Sequence, residues 1–231
     1  MTFFSWELIT ALSLGFILGL KHALDVDHVL AVTAITSKTK NIKTSSLIGS
    51  YWGFGHALTL LLVGIILLAL KISLPQRLAL FFEFLVGIFL VFLGVKVLWD
   101  LFHDKLHAHQ HTHNSVPHTH FHTHDHSLAH KHYHTSFFMG MIHGLAGSAA
   151  LTLLVLASTT TFFQGISFIF VFGSGATLGM ILLSMLLALP FLFVQRFTRL
   201  VQGLQFLAGS LSIILGISLI FSVYYLQGLL F

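Results

Sequence analysis

WELITALSLGFILGLKHALDVDHVLAVTAI, residues 6–35, is an apolar run with a polar knot, KHALDVDH, at its centre (Lys21–His28). As one continuous helix it would be about 45 Å long at about 1.5 Å per residue, against a hydrocarbon core of about 30 Å. It must tilt, protrude or break, and the knot in mid-run predicts a local break or re-entrant bend. The chain start has no basic cluster and no A-x-A-like cleavage pattern, so the run is expected to stay as a first transmembrane segment.

Working outward, polar breaks separate five further apolar segments: 46–70, 78–101, 137–158, 162–189 and 200–226. None alternates like a barrel strand, so all six read as helices, and the fold class is an all-α polytopic membrane protein. Composition agrees: 56% of the 231 residues are hydrophobic and 8% charged, with a mean hydropathy of +0.92. The absence of cysteine excludes disulfide frameworks, thiolate metal sites and thiol relays. A formal charge of +4 comes from sparse, scattered Lys and Arg, which argues against a nucleic-acid surface. Lys38, Lys40, Lys43, Lys105, Lys131, Arg196 and Arg199 fall in the connections on one side, against Lys71 and Arg77 on the other. The positive-inside rule then predicts both termini outside and the long central loop in the cytoplasm of a cell (inner) membrane.

The two halves resemble each other. Leu20-Lys21-His22-Ala23-Leu24 matches Met141-Ile142-His143-Gly144-Leu145, FGHALTL at 54–60 matches FGSGATL at 172–178, and EFLVG at 83–87 matches QFLAG at 205–209, at offsets of 121, 118 and 122 residues. Three helices per repeat invert the second copy, which predicts a first repeat over residues 1–102, a loop over 103–135 and a second repeat over 136–231. Such inverted repeats are the architecture of secondary transporters, with a midplane site where interrupted helices of both halves meet.

Ionisable residues inside a span are costly and mark function by default. His22, Asp25, Asp27 and His28 crowd the knot. On a regular helix His22, Asp25 and His28 share an arc of about 120 degrees, and Asp27 points away. Two imidazoles and a carboxylate suit Ni, Co, Cu or Zn dications. His56, in WGFGHALTL, and His143, at the repeat position of His22, complete four histidines outside the loop that are expected to converge on one site near interrupted helices. Glu83, taken to face Gln205 across the repeats, reads as an interface residue near Arg77, with proton carriage as the alternative. No Walker A pattern and no HExxH occurs, so neither ATP hydrolysis nor zinc-protease chemistry is expected, and the chain does not read as an enzyme.

Residues 103–134 hold thirteen histidines, alternating with Thr, Asp, Phe and Ala. His109, His111, His113, His118, His120, His122, His124 and His126 form the densest part. Imidazoles two apart on a flexible chain chelate first-row dications weakly, so the loop is expected to buffer or deliver metal rather than to transport it.

HALDVDH at 22–28 matches the HX4DH signature of the nickel/cobalt transporter family, with His22, Asp27 and His28 at the signature positions. GLKHALDVDHVLAVTAI is similar to that family's second helix, YWGFGHALTL resembles its next motif, and HGLAGSAALTLLVLA resembles the short, six-helix, UreH-type members associated with urease. The resemblance implies metal recognition by His22, Asp27, His28 and His56. It implies a secondary transporter taking up Ni2+, with Co2+ as a second substrate, and nickel-enzyme maturation proteins as partners, with no prosthetic group. The signature prefers Asp27 where the helical wheel prefers Asp25, and an unwound segment would turn both inward. A His-rich loop also resembles related efflux proteins. The competing readings are therefore Ni2+/Co2+ efflux, a metal-sensing or accessory membrane protein, and a redox protein holding haem between histidines.

Overall fold

A computed structural model of the chain describes residues 6–37, 39, 41–103, 109–113, 116–120, 128–159, 161–194 and 197–226. The helices are α1 (Trp6–His22), α2 (Val26–Thr36), α3 (Ile42–Leu70), α4 (Gln76–His103), α5 (Leu128–Ser158), α6 (Phe162–Phe193) and α7 (Thr198–Phe221), the last running into a π-helical turn, Ser222–Leu226. All six expected segments are helical, and the first is broken: α1 and α2 meet at 54°. α3, α4, α6 and the stretch Arg199–Tyr225 are each long and apolar enough to cross a bilayer, and the bent α1–α2 pair makes a fifth candidate. The sixth expected segment is α5, 31 residues long and packed along α3. The chain is thus an all-helical polytopic membrane protein. One small departure lies in the His-rich segment, where β1 (His109–His113) and β2 (Val116–His120) pair as an antiparallel hairpin.

Local chemistry sets the helix ends. The Asn41 side chain accepts the Thr44 amide at 2.7 Å to start α3, and Thr161 does the same for Gln164 at the start of α6. Lys71 takes a left-handed conformation (φ 54) to close α3. Large apolar side chains face outward along the spans, as lipid-facing positions require: Phe54, Phe92, Phe170 and Leu186 are all more than half exposed. The interior is built around Ile48, Trp52, Leu90, Met139 and Met180, each 2% exposed or less.

Small residues set the distances between helices, as expected where lipid supplies no hydrophobic drive. The contacts come in reciprocal pairs. Gly19 of α1 lies against the Phe172 carbonyl and Ala176 amide of α6, and its sequence counterpart Gly140 of α5 lies against the Trp52 carbonyl and His56 amide of α3. Gly175 meets the Phe16 carbonyl and Gly55 the Phe137 carbonyl. Between α4 and α7, Gly94 and Gly209 abut each other's carbonyls, as do Gly87 and Gly216. Gly53 lies against Thr177 and Gly173 against Ala57.

The connections fix which end of each helix meets which face. α3 ends and α4 begins at the Leu70–Gln76 connection, on the face opposite the His-rich segment. α5 starts from the His-rich side and α7 ends back at the Leu70–Gln76 face. Gln205, near the start of α7, donates from Nε2 to the Ser37 carbonyl at 3.1 Å, which satisfies the C-terminal end of α2. Glu83 lies near the opposite end of α4, so it does not face Gln205 as the sequence suggested.

Candidate metal site

His22 is the last residue of α1, and three residues later Asp25 is the N-cap of α2 with extended backbone (ψ 144). Neither glycine nor proline occurs at this break. The last turn of α1 closes through shortened hydrogen bonds, Leu24 amide to Lys21 carbonyl at 2.9 Å and Asp25 amide to His22 carbonyl at 3.1 Å, and α2 starts with the Val29 amide on the Asp25 carbonyl at 3.0 Å. Asp favours an N-cap position. Its carboxylate makes no capping bond here, because Oδ2 takes the His22 Nδ1–H at 2.8 Å instead.

The break turns Asp27 inward. Oδ1 accepts the backbone amide of His28 at 2.9 Å and His28 Nδ1–H at 3.1 Å, and Oδ2 accepts His143 Nε2–H at 2.8 Å. Asp27 therefore bridges two histidines from α2 and α5, while Asp25 stays 53% exposed at the rim. This corrects the helical-wheel expectation, which assumed a continuous helix through residues where the helix has ended.

His56 is the central residue of α3, and no hydrogen bond reaches either of its ring nitrogens. It is fully buried, and His28 is 1% exposed with Nε2 also unpartnered. The rings of His22, His28 and His56 are mutually adjacent, with centroids 4.8 Å apart for His22–His28, 5.2 Å for His22–His56 and 5.5 Å for His28–His56. One nitrogen from each lies within 4.8 Å of the others. Two nitrogens on opposite sides of a first-row dication at about 2.1 Å would be about 4.2 Å apart, a spacing near the one seen here. A buried polar atom left unpaired costs about 1–3 kcal/mol, and His28 Nε2 with both nitrogens of His56 makes three such atoms side by side.

A second trio, Asp27, His28 and His143, has its ligand atoms equally close, but they are spent on each other in hydrogen bonds. The two trios thus differ in what they can do. With Nδ1–H given to a carboxylate, neutral His22 and His28 present Nε2 as a lone pair, the arrangement in which an outer carboxylate orients a metal-binding imidazole. His22, His28 and His56 have nitrogens free to hold a cation. Asp25 holds His22, Asp27 holds His28 and His143, and no hydrogen bond holds His56.

All six predicted site residues therefore gather at one place. The expectation that they would sit on interrupted helices of both halves is not met, since α3 and α5 run unbroken through His56 and His143. In the loop, the hairpin register sets His109 opposite His120 and His111 opposite His118, with His113 opposite Val116. His122, His124 and His126 lie outside the described residues. Two neighbours were not on the predicted list: Trp52, whose ring stands 6.3 Å from His28 and 5.5 Å from His143, and Glu83. A cavity of about 290 Å³ is lined by His22, Asp27, His28, His143 and Glu83 together with apolar residues. The signal for Glu83 was visible as one carboxylate inside the apolar run LALFFEFLVG, but its depth and direction were not.

Residues 8–227 match the family NicO, described as "High-affinity nickel-transport protein". The chain is 37% identical over 229 residues to the urease accessory protein UreH of Bacillus sp. (strain TB-90), covering 96% of both sequences. No solved structure matches.

Proposed function

Since the chain belongs to the NicO family of high-affinity nickel-transport proteins, we propose that it imports Ni2+, with Co2+ as a second substrate, through a site formed by His22, His28 and His56. It is a nickel transporter and not an enzyme. The observation that carries the site assignment is the set of unpartnered, buried imidazole nitrogens at the centre of α3 and the start of α2. A membrane interior tolerates such atoms when a passing cation pairs with them. The broken helix supports the same reading, since transporters place substrate sites where a span is interrupted near the midplane. So do the reciprocal glycine contacts, as two inverted three-helix repeats would generate them.

Energetics permit import without a coupled ion. A dication entering down 100 mV, inside negative, gains about 4.6 kcal/mol, enough for roughly thousandfold accumulation. We place both termini outside and the His-rich segment in the cytoplasm, following the Lys and Arg asymmetry. There its imidazoles would take up arriving metal and hand it to nickel-enzyme maturation proteins, a role in keeping with the urease accessory relative.

The deciding experiment is 63Ni2+ uptake into proteoliposomes of defined potential, with wild type, His22→Ala and His28→Ala. Accumulation driven by an inside-negative potential and lost in both variants is expected. Transport only against an imposed proton gradient would assign efflux instead. A variant lacking residues 104–127 should still transport; complete loss would make the protein a loop-based accessory factor.

A further inference from the structure

The cavity beside the histidines is lopsided. Its lining residues on α2 and α5 begin at mid-membrane with His28 and His143, and continue one turn along α5 to Ala146 and Gly147. The remainder lie further toward one face: Glu83 is seven residues into α4 from Gln76, about 10 Å from that end at about 1.5 Å per residue, and Leu219 is close to the end of α7. Both ends belong to the Leu70–Gln76 face. On the other side of the histidines, toward the His-rich segment, the structure is filled. Ala31, Val32 and Ala34 of α2 pack with Ile48 and Trp52 of α3 in one cluster, each 1% exposed or less. The space next to the site therefore extends toward one face of the membrane and is closed toward the other.

Glu83 stands in that space, a half-buried carboxylate in an otherwise apolar stretch of α4, on the side from which His28 is approached. A carboxylate at the mouth of a low-dielectric cleft concentrates cations there. An imidazole nitrogen brings no negative charge to a cation, and both oxygens of Asp27 are taken up by His28 and His143. Glu83 is thus the cavity carboxylate whose oxygens are not committed to the site's own imidazoles.

Resting on the import site proposed above, we propose that Glu83 is a cation-receiving residue: it draws a hydrated divalent cation into the cavity from the Leu70–Gln76 face and presents it to His28 Nε2. It is a contact made on the way to the site, not a fourth ligand in it. Val32, Ile48 and Trp52 close the far side and must separate before the cation can leave toward the His-rich segment.

Three measurements test this. In proteoliposomes, Glu83→Gln should raise KM for 63Ni2+ about tenfold while leaving kcat within about twofold, and Glu83→Asp should recover most of the loss, the size expected when local cation concentration is what changes. Equilibrium Ni2+ binding to the detergent-solubilised Gln variant should stay within about threefold of wild type, whereas His28→Ala should weaken it at least about a hundredfold. An unchanged KM, or parallel loss of binding and transport, overturns the proposal. Because the chain has no cysteine, Leu219→Cys and Val32→Cys read access without background. A membrane-impermeant thiol reagent should modify Cys at 219 only from the Leu70–Gln76 face and leave Cys at 32 unmodified from that face. Equal labelling of both overturns it. If His28→Ala itself transports normally, the import site fails. If it does not but Glu83→Gln is wild type, only the role of Glu83 fails.

Discussion

Two matched stretches of the chain have opposite structures. Gly19-Leu-Lys-His-Ala-Leu-Asp-Val-Asp-His28 ends one helix and starts another at 54°, while Gly140-Met-Ile-His-Gly-Leu-Ala-Gly-Ser-Ala149 is a single helix. Intrinsic propensity predicts the reverse. The broken stretch has no glycine or proline past Gly19, and the continuous one carries Gly144 and Gly147, each costing about 1 kcal/mol in a helix. The carboxylates decide. Asp25 suits an N-cap and is held out of helical geometry by His22, and Asp27 is held by His28 and His143. In α5 the glycines serve packing instead: a Cβ at Gly144 would lie 2.7 Å from the His56 carbonyl oxygen. The first stretch is ordered by side-chain contacts of its two carboxylates, the second by close approach to α3.

The comparison breaks most visibly at the histidines. His28 and His143 have rings 4.4 Å apart, and each gives one nitrogen to Asp27, but it is His28 Nε2 that is left buried and unpartnered. His28→Ala should therefore weaken Ni2+ binding at least about a hundredfold by calorimetry, beyond the range of about 10–100-fold that removal of an outer-shell partner costs. Asp27→Asn releases both histidines at once and should fall near the upper end of that outer range. His143→Ala leaves Asp27 holding His28, and should lie near its lower end, about tenfold. If His143→Ala equals His28→Ala, the division into binding and orienting residues is wrong.

Much of this was legible. Six helical segments, the break at residues 21–28 and the gathering of His22, His28, His56 and His143 follow from hydropathy, from the excess length of the first segment and from the cost of polar groups in lipid. The roles of Asp25 and Asp27 were not. A helical wheel needs to know where the helix stops, and here the stop is made by tertiary partners on α5 and by one contact within the turn. Glu83 was misjudged for a related reason: its sequence match with Gln205 was read as proximity, whereas Gln205 sits at Ser37 near the start of α7 and Glu83 near the Gln76 end of α4.

A milder change sharpens the comparison at the break itself. Asp25 is the N-cap but makes no capping bond, and its one partner is His22. Asp25→Ala loses the orientation of a single ligand at an exposed rim, so Ni2+ affinity should fall about tenfold, the low end for an outer-shell partner. Uptake assays with Asp25→Ala beside Asp27→Ala should rank the second as the more damaging. Equal losses would return Asp25 to the inward position that a continuous helix gives it.

The smallest expected effect separates the two glycines of α5. Both weaken a helix by about the same amount in isolation, so alanine at either should stabilise α5 by up to about 1 kcal/mol if propensity alone mattered. Their surroundings differ. At Gly147 the nearest atoms to an added Cβ belong to the His22 ring, 3.7 Å away, an ordinary contact that needs no movement. At Gly144 the added Cβ meets the His56 carbonyl at 2.7 Å and the Thr59 side chain at 3.1 Å, so α3 must shift away and carry His56 with it. Overpacking of that kind costs about 1–3 kcal/mol, which outweighs the gain in propensity. Gly147→Ala should therefore raise the thermal midpoint of the solubilised protein by a small amount and leave Ni2+ affinity near wild type. Gly144→Ala should lower both, since displacement of α3 moves a ligand. If the two variants shift the midpoint in the same direction, close approach at Gly144 is not what keeps α5 against the histidine site.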